Sequence, residues 1–512
     1  MNICSVSAAL APFSKTGGLG DVAAALPKAL VERGHRVLAV VPRYKAYSEA
    51  WDTGMRLQFP LFGQVQQVSI HHTRVLGFDL AFVDHPAIRR GGIYGDERGT
   101  YGDNLFRYAL LSRAAIELTR RLPVQGEALA DAGPVRFLTH DWHAGLVPVY
   151  LQAHYQSHGL LTDARVVHVI HNLAHQGRFG FDSFGGLDLD PHWAPLLDMG
   201  GAMNLMKAAL ASAQRVVAVS PSYAQEIQYP EHGCGLDGVL RARGGALVGI
   251  LNGIDQNEWN PGSDPHLPAT HGPEDLGDGP VPGPSGGRAV CKAALLRELG
   301  LSIGADPAFD NRTPLFGFIG RLTGQKGIDL LEATAPWLAR NGARVAFLGT
   351  GERRWEDALR NLARRFPGRI AAQIGFNNGL AHRITAGADA LLMPSRFEPC
   401  GLNQLYALAY GTVPVVHATG GLRDTVHNFD PWHDQGNGWT FSPASPEAMT
   451  TALHAALRTW YDHPDSWRSI AATRSNALLY RAEKRICRNA CANSFRLNHS
   501  ICTLSRDHRH FI

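Results

Sequence analysis

No apolar run in this chain reaches the roughly 18 residues that a membrane-spanning helix needs. Its most apolar stretches, such as RVLAVVP at 36–42, are only strand-sized. Cysteine is sparse as well: seven in 512 residues, an odd number at irregular spacing. That excludes a disulfide scaffold and suits a reducing compartment, so a cytoplasmic location is expected. The N-terminus, MNICSVSAAL, has no basic segment and runs into a glycine-rich loop, so no secretion signal is read. An excess of one charge is lacking too. The net charge is +4, from 49 Lys and Arg against 45 Asp and Glu, but the surplus is local. Residues 481–512 hold seven Lys and Arg and two Asp and Glu, which leaves the preceding 480 residues at −1. A body this neutral predicts neither a nucleic-acid nor a membrane partner.

What is present is alternation. Short β-branched runs at 2–7, 36–41, 135–139, 165–170, 215–219 and 246–251 interleave with helical patterns at 21–33 and near 104–120. Pro27 falls inside the first helical pattern and is expected to kink it. Between 261 and 287 there are seven Pro and seven Gly, too broken for a packed element. Alternation resumes with strands at 315–319, 344–348, 369–374, 390–393 and 413–416. The pattern predicts an α/β protein with two helix-covered, mostly parallel sheets. The expected division is a first domain over 1–260, a linker over 261–287, a second domain over 288–480 and an atypical basic tail over 481–512.

Four constellations sit at predicted strand ends, where open α/β sheets bind ligands. Lys15-Thr16-Gly17-Gly18-Leu19-Gly20-Asp21-Val22 offers backbone N–H groups, a helix start and a cation, although it lacks the order of a phosphate-binding P-loop. Gly320-Arg321-Leu322-Thr323-Gly324-Gln325-Lys326-Gly327 places two cations five residues apart beside glycines, a pattern that suits a diphosphate. Pro394-Ser395-Arg396-Phe397-Glu398-Pro399-Cys400-Gly401-Leu402-Asn403-Gln404 would hold Glu398 where a strand meets a helix, with Asn403 as the helix cap. Cys400 reads as a small cleft-lining residue rather than a nucleophile. His140-Asp141-Trp142-His143 and His171-Asn172-Leu173 put imidazole, carboxylate and amide groups at the edge of the first sheet. His140 with His143, or His168 with His171, would face opposite ways on an extended chain, so neither a metal nor a cofactor is expected. Physical chemistry alone therefore favours a phosphorylated or nucleotide-activated substrate held in a cleft between two sheets.

These motifs, with L-N-G-I-D at 251–255 and G-G-L-R-D-T-V at 420–426, resemble bacterial glycogen (starch) synthases in family order over roughly residues 1–470. The resemblance implies the two-domain GT-B glycosyltransferase fold. It also implies transfer of glucose from ADP-glucose to the non-reducing end of an α-1,4-glucan with retention of configuration, glycogen being the expected acceptor. By position, Lys15 matches the family's donor-binding lysine, with Gly17 and Gly18 beside the donor. Arg321 and Lys326 match the pair that neutralises the leaving diphosphate, and Glu398 matches the essential acidic residue at the donor sugar. Asp141, His171 and Asn252 match groups that hold glucose hydroxyls. The stretch Cys400, Gly401, Leu402 and Asn403 lies against the donor, with amides offered to the phosphate. Tyr94 is a further cleft candidate.

The resemblance implies a front-face route in which the leaving phosphate takes the acceptor's proton, and it leaves open whether Glu398 acts as a nucleophile. No residue visibly selects adenine as the base. Ala9 stands where the family carries a Glu, the Pro/Gly stretch looks longer than usual, and the tail lacks the family's closing aromatic segment. A catalytically impaired glucan- or nucleotide-sugar-binding relative is therefore the alternative reading, and a hydrolase built on Asp141 and Glu398 is a third.

Overall fold

The structure, a computed structural model, describes residues 1–15, 17–276, 283–301 and 311–472. The expected tail at 481–512 lies outside them. The first sheet has nine strands in the order Leu247–Gly249, Arg215–Ala218, Arg165–Ile170, Val135–His140, Asn2–Val6, Arg36–Pro42, Asp79–Asp84, Gln64–Thr73 and Trp51–Leu61. The first seven pair in parallel. Burial on both faces explains why strands such as Arg36–Pro42 read as a near-continuous apolar run, VLAVVP after Arg36.

Three strands of this sheet are unforeseen in the sequence: the parallel strand Asp79–Asp84 and an antiparallel hairpin, Trp51–Leu61 with Gln64–Thr73, that extends the sheet. The hairpin's two-residue turn is Phe62-Gly63, at φ 53° and 71°, the left-handed pair that a tight hairpin needs. The helix Gly18–Glu32 runs unbroken through Pro27. Burial of Ala23, Leu26 and Leu30 in the first-domain core offsets the hydrogen bond that proline removes.

The second sheet has six parallel strands in the order Ile370–Ile374, Arg344–Gly349, Leu315–Ile319, Ala390–Met393, Val413–His417 and Trp439–Phe441. Between the sheets the described residues of the proline-rich segment, with Trp259 just before it, are more ordered than the composition implies. Trp259, Asp264 and His271 are buried, and the helix Gly286–Glu298 starts inside the stretch. The indole of Trp259 lies between the rings of His382 and Tyr406, at centroid distances of 3.9 and 3.7 Å and nearly parallel to both. Asp264 accepts hydrogen bonds from His382 Nδ1 (2.7 Å) and Tyr410 Oη (2.6 Å). This segment is thus docked on the second sheet's helices by stacking and by a shared carboxylate.

Candidate active site

Parallel strands deliver their following loops to one sheet edge, so both sheets present carboxyl-end loops to a common cleft. On the second sheet, the loop after Ala390–Met393 carries Glu398, which is buried. Its Oε2 lies 2.5 Å from Lys326 Nζ and accepts a hydrogen bond from Ser395 Oγ at 2.8 Å. Lys326 comes from the turn after the neighbouring strand Leu315–Ile319. Arg321, from the same turn, is exposed and touches Gln325 Oε1 at 3.3 Å. Two of the expected residues, Lys326 and Glu398, therefore meet with Ser395 at two adjacent strand ends, with Arg321 on the same turn as Lys326.

The helix that follows runs over Asn403–Ala409 with Leu402, not Asn403, in the capping position. The expected Asn403 cap is corrected: its amide instead donates to the carbonyl of Ile319 at 2.7 Å and ties the helix start to the neighbouring strand end. Gly401 has φ 71°, which permits the sharp turn between Glu398 and this helix. The Cys400 thiol is buried and pushed up to about 12, chiefly by desolvation and only partly offset by hydrogen bonds from Asn252. It is therefore a packed thiol rather than a nucleophile, and Asn252 lies beside it.

On the first sheet, Asp141 follows the strand Val135–His140 and is buried. Its backbone sits at φ 54°, ψ −175°, a conformation that costs a non-glycine residue strain of order 1–3 kcal/mol. The strain points its carboxylate at the next strand end, where Oδ1 accepts from the amides of His171 (2.7 Å) and Asn172 (3.3 Å). Burial pushes the Asp141 carboxyl up to about 7, against those two hydrogen bonds. His171 Nε2 shares a 2.9 Å hydrogen bond with His140 Nδ1, and His140 Nε2 contacts Ser5 Oγ at 3.2 Å. Burial lowers both imidazoles, His140 to about 4, so this chain of rings is neutral at pH 7. The histidines thus pair across strands, His140 with His171, while His168 Nδ1 bonds Thr139. Among the described residues no three His, Cys, Asp or Glu side chains gather as metal ligands would.

The two edges face each other. The Arg321 guanidinium adds to burial in holding the His175 imidazole of the first domain below its ordinary range. Gly18 approaches Leu402 so closely that a Cβ there would meet its Cδ1 at 3.0 Å. Lys15 lines a cavity of about 1040 Å³ that also reaches Tyr44, Arg90, Glu258, Phe376 and Tyr406. Its ammonium pairs with Asp21 at 2.6 Å. Glu398, Arg321, Lys326, Asp141 and His171 do not line this cavity, so it continues the cleft on the Lys15 side. Tyr94 stacks on His143, with centroids 4.8 Å apart.

Sequence reasoning missed the Ser395 contact to Glu398, the Asp21 partner of Lys15 and the Trp259 stack. Ser395 and Asp21 stood inside quoted motifs without a role. The Trp259 stack has no local signal, because its partners lie more than a hundred residues away.

Two Rossmann-like domains facing a cleft, with cations and a carboxylate at opposed strand ends, define a GT-B glycosyltransferase. A family model described as the starch synthase catalytic domain matches residues 2–242, and one for group 1 glycosyl transferases matches 303–474. Soluble starch synthase 1 of Solanum tuberosum is 44% identical over 494 residues, covering 92% of this chain and 74% of that one. Starch synthase 1 of Arabidopsis thaliana is 42% identical, covering 92% and 73%. The chain belongs to the starch synthase family. These relatives are described as chloroplastic or amyloplastic. A solved catalytic domain of starch synthase IV from Arabidopsis thaliana, bound to ADP and acarbose, superposes with a TM-score of 0.84 at 29% identity, covering 96% of this chain and 99% of that one. Sucrose-phosphate synthase from Thermosynechococcus elongatus, at 16% identity and a TM-score of 0.57, shares the fold. No helix among the described residues is long and apolar enough to cross a membrane.

Proposed function

We propose that this protein transfers glucose from ADP-glucose to the non-reducing end of an α-1,4-glucan such as glycogen, with retention of configuration. The observation that carries this reading is the pairing of Lys326 with Glu398, with Arg321 on the same turn, opposite the Asp141–His171 edge. The ADP-bound starch synthase IV relative supports the choice of donor. In this reading the C1–oxygen bond to the diphosphate breaks with its electron pair going to the leaving group. The acceptor hydroxyl forms the new bond to C1 and passes its proton to a diphosphate oxygen.

Arg321 and Lys326 stabilise the charge that grows on the diphosphate. Lys15 and the backbone at Gly17 and Gly18 hold the donor from the first domain, and the turn over Cys400, Gly401, Leu402 and Asn403 holds it from the second. Glu398 stabilises the positive charge that develops on the sugar. Asp141, His171 and Asn252 hold its hydroxyls. Residues 1–260 form the acceptor half and 288–480 the donor half. The reading includes a cytoplasmic location, and the free thiols at Cys4, Cys234, Cys291 and Cys400 support a reducing compartment.

Purified protein given glycogen is expected to release ADP from ADP-glucose and to lengthen glucan chains, with UDP-glucose the poorer donor in a side-by-side assay. Tight glycogen binding with no ADP release from folded protein would instead identify the impaired relative. Sugar release without nucleotide would identify a hydrolase.

A further inference from the structure

Glu398 is followed by a proline, and Pro399 has no N–H to donate. Between the Glu398 Cα and the Cys400 amide the main chain can therefore be pinned only through two carbonyl oxygens, those of Glu398 and Pro399. Both are taken. The carbonyl of Glu398 accepts from the amide of Gly421 at 3.0 Å, and that of Pro399 accepts from Ser220 Oγ at 2.6 Å. Ser220 belongs to the first domain, 179 residues away, and is fully buried. Its oxygen also caps its own helix, Pro221–Glu226, by accepting from the amide of Tyr223 at 3.1 Å. The single hydroxyl proton is thereby committed to the other domain.

The Gly421 tie leads to the same helix. Glu226 accepts from the amide of Gly420 at 2.9 Å, while Asp424 accepts from the amide and the hydroxyl of Ser222 at 2.8 and 2.7 Å. Only glycine fits this join, because a Cβ at Gly420 would lie 2.1 Å from the Glu398 carbonyl oxygen and one at Gly421 2.0 Å from that of Cys400. The contact between the helices Pro221–Glu226 and Gly420–Thr425 and the turn that carries Glu398 are thus one hydrogen-bonded unit. On its inner side Glu398 meets Lys326 and Ser395 at 2.5 and 2.8 Å, separations that a small shift of the main chain would break.

We propose that Ser220 is a positioning residue for Glu398, holding its turn from across the domain boundary, with Glu226 on the same helix holding the second tie. The kinetic consequence rests on the glucosyl-transfer reading of Glu398. The structural consequence does not.

The test compares wild type, Ser220→Ala, Ser220→Thr and Glu226→Gln by amide hydrogen exchange with mass spectrometry and by ADP release. Ser220→Ala is expected to speed exchange across 395–403 by about tenfold, with the distant strand Arg344–Gly349 unchanged. It should lower kcat by about tenfold while KM for ADP-glucose stays within about twofold. Ser220→Thr keeps the hydroxyl and should restore both. Glu226→Gln should give a smaller change in the same peptide, and this arm decides the matter if Ser220→Ala does not fold. Unchanged exchange at 395–403, or faster exchange throughout the protein that Ser220→Thr fails to correct, would overturn the proposal. A wild type that releases no ADP would overturn the functional reading alone, since the exchange arm still reads the tie.

Discussion

Lys326 and Glu398, 72 residues apart in sequence, meet at 2.5 Å where two adjacent strands of the second sheet end. The pair fixes one cation of the site against the carboxylate, while Arg321 on the same turn stays exposed. One cation is thus held by the protein and the other is open to solvent and ligand.

In the proposed reaction, loss of either cation removes stabilisation of the charge that develops on the diphosphate in the transition state. Lys326→Ala and Arg321→Ala are each expected to lower kcat by about 10²–10³, as for other fixed transition-state donors. Steady-state ADP release checks this. An effect confined to KM would show that the cation binds ground and transition states alike.

Asp141 gives a pH signature in stability. Burial raises its carboxyl to about 7, against an ordinary value of about 3.9, so the folded state binds a proton that the unfolded state has lost. Its favourable contribution is complete below about pH 4 and is lost as pH rises through about 7. Asp141→Asn cannot ionise. Thermal melts should therefore show the variant gaining stability relative to wild type between pH 5 and pH 8.

Thiol labelling should separate the four described cysteines. Cys234 is exposed, whereas Cys4, Cys291 and Cys400 are buried, with the Cys400 thiol pushed up to about 12. Iodoacetamide at pH 8 on native protein, read by peptide mass spectrometry, is expected to modify Cys234 and spare the other three. Cys400→Ala should retain most activity. Rapid loss of activity on alkylation of Cys400 would restore it as a reactive group.

Trp259 joins the inter-sheet segment to the second domain through its two ring contacts. Trp259→Ala should cost about 3–5 kcal/mol, the range for removing a large buried aromatic. A urea titration checks the value. A cost below about 1 kcal/mol would mean that Asp264 alone, through His382 and Tyr410, keeps the segment docked.

The parts that were legible share one property. The strands Arg165–Ile170, Leu315–Ile319 and Ala390–Met393 match their expected limits residue for residue, because a strand buried on both faces is apolar over most of its length. The hairpin strand Trp51–Leu61 escaped notice because its burial is mixed and its turn is Phe62-Gly63 rather than an Asn-Gly pair. Asn403 was misassigned as a cap because capping propensity is local, whereas the Ile319 carbonyl that claims its amide lies 84 residues away.

The sequence by itself determined the alternation that makes two parallel α/β sheets and the chemistry placed at their strand ends. Lys15, Asp141, His171, Arg321 and Glu398 each stand at such an end in the sequence pattern alone. Only the tertiary structure decided which ends adjoin. Strand order paired Lys326 with Glu398 and His140 with His171, and domain docking brought Ser220 to Pro399. The reason is physical. Local pattern reports whether a residue is buried and how its chain is bent. Which buried partner it meets depends on sheet order and domain packing, and residues tens to hundreds of positions apart leave no mark of that on one another's surroundings in sequence.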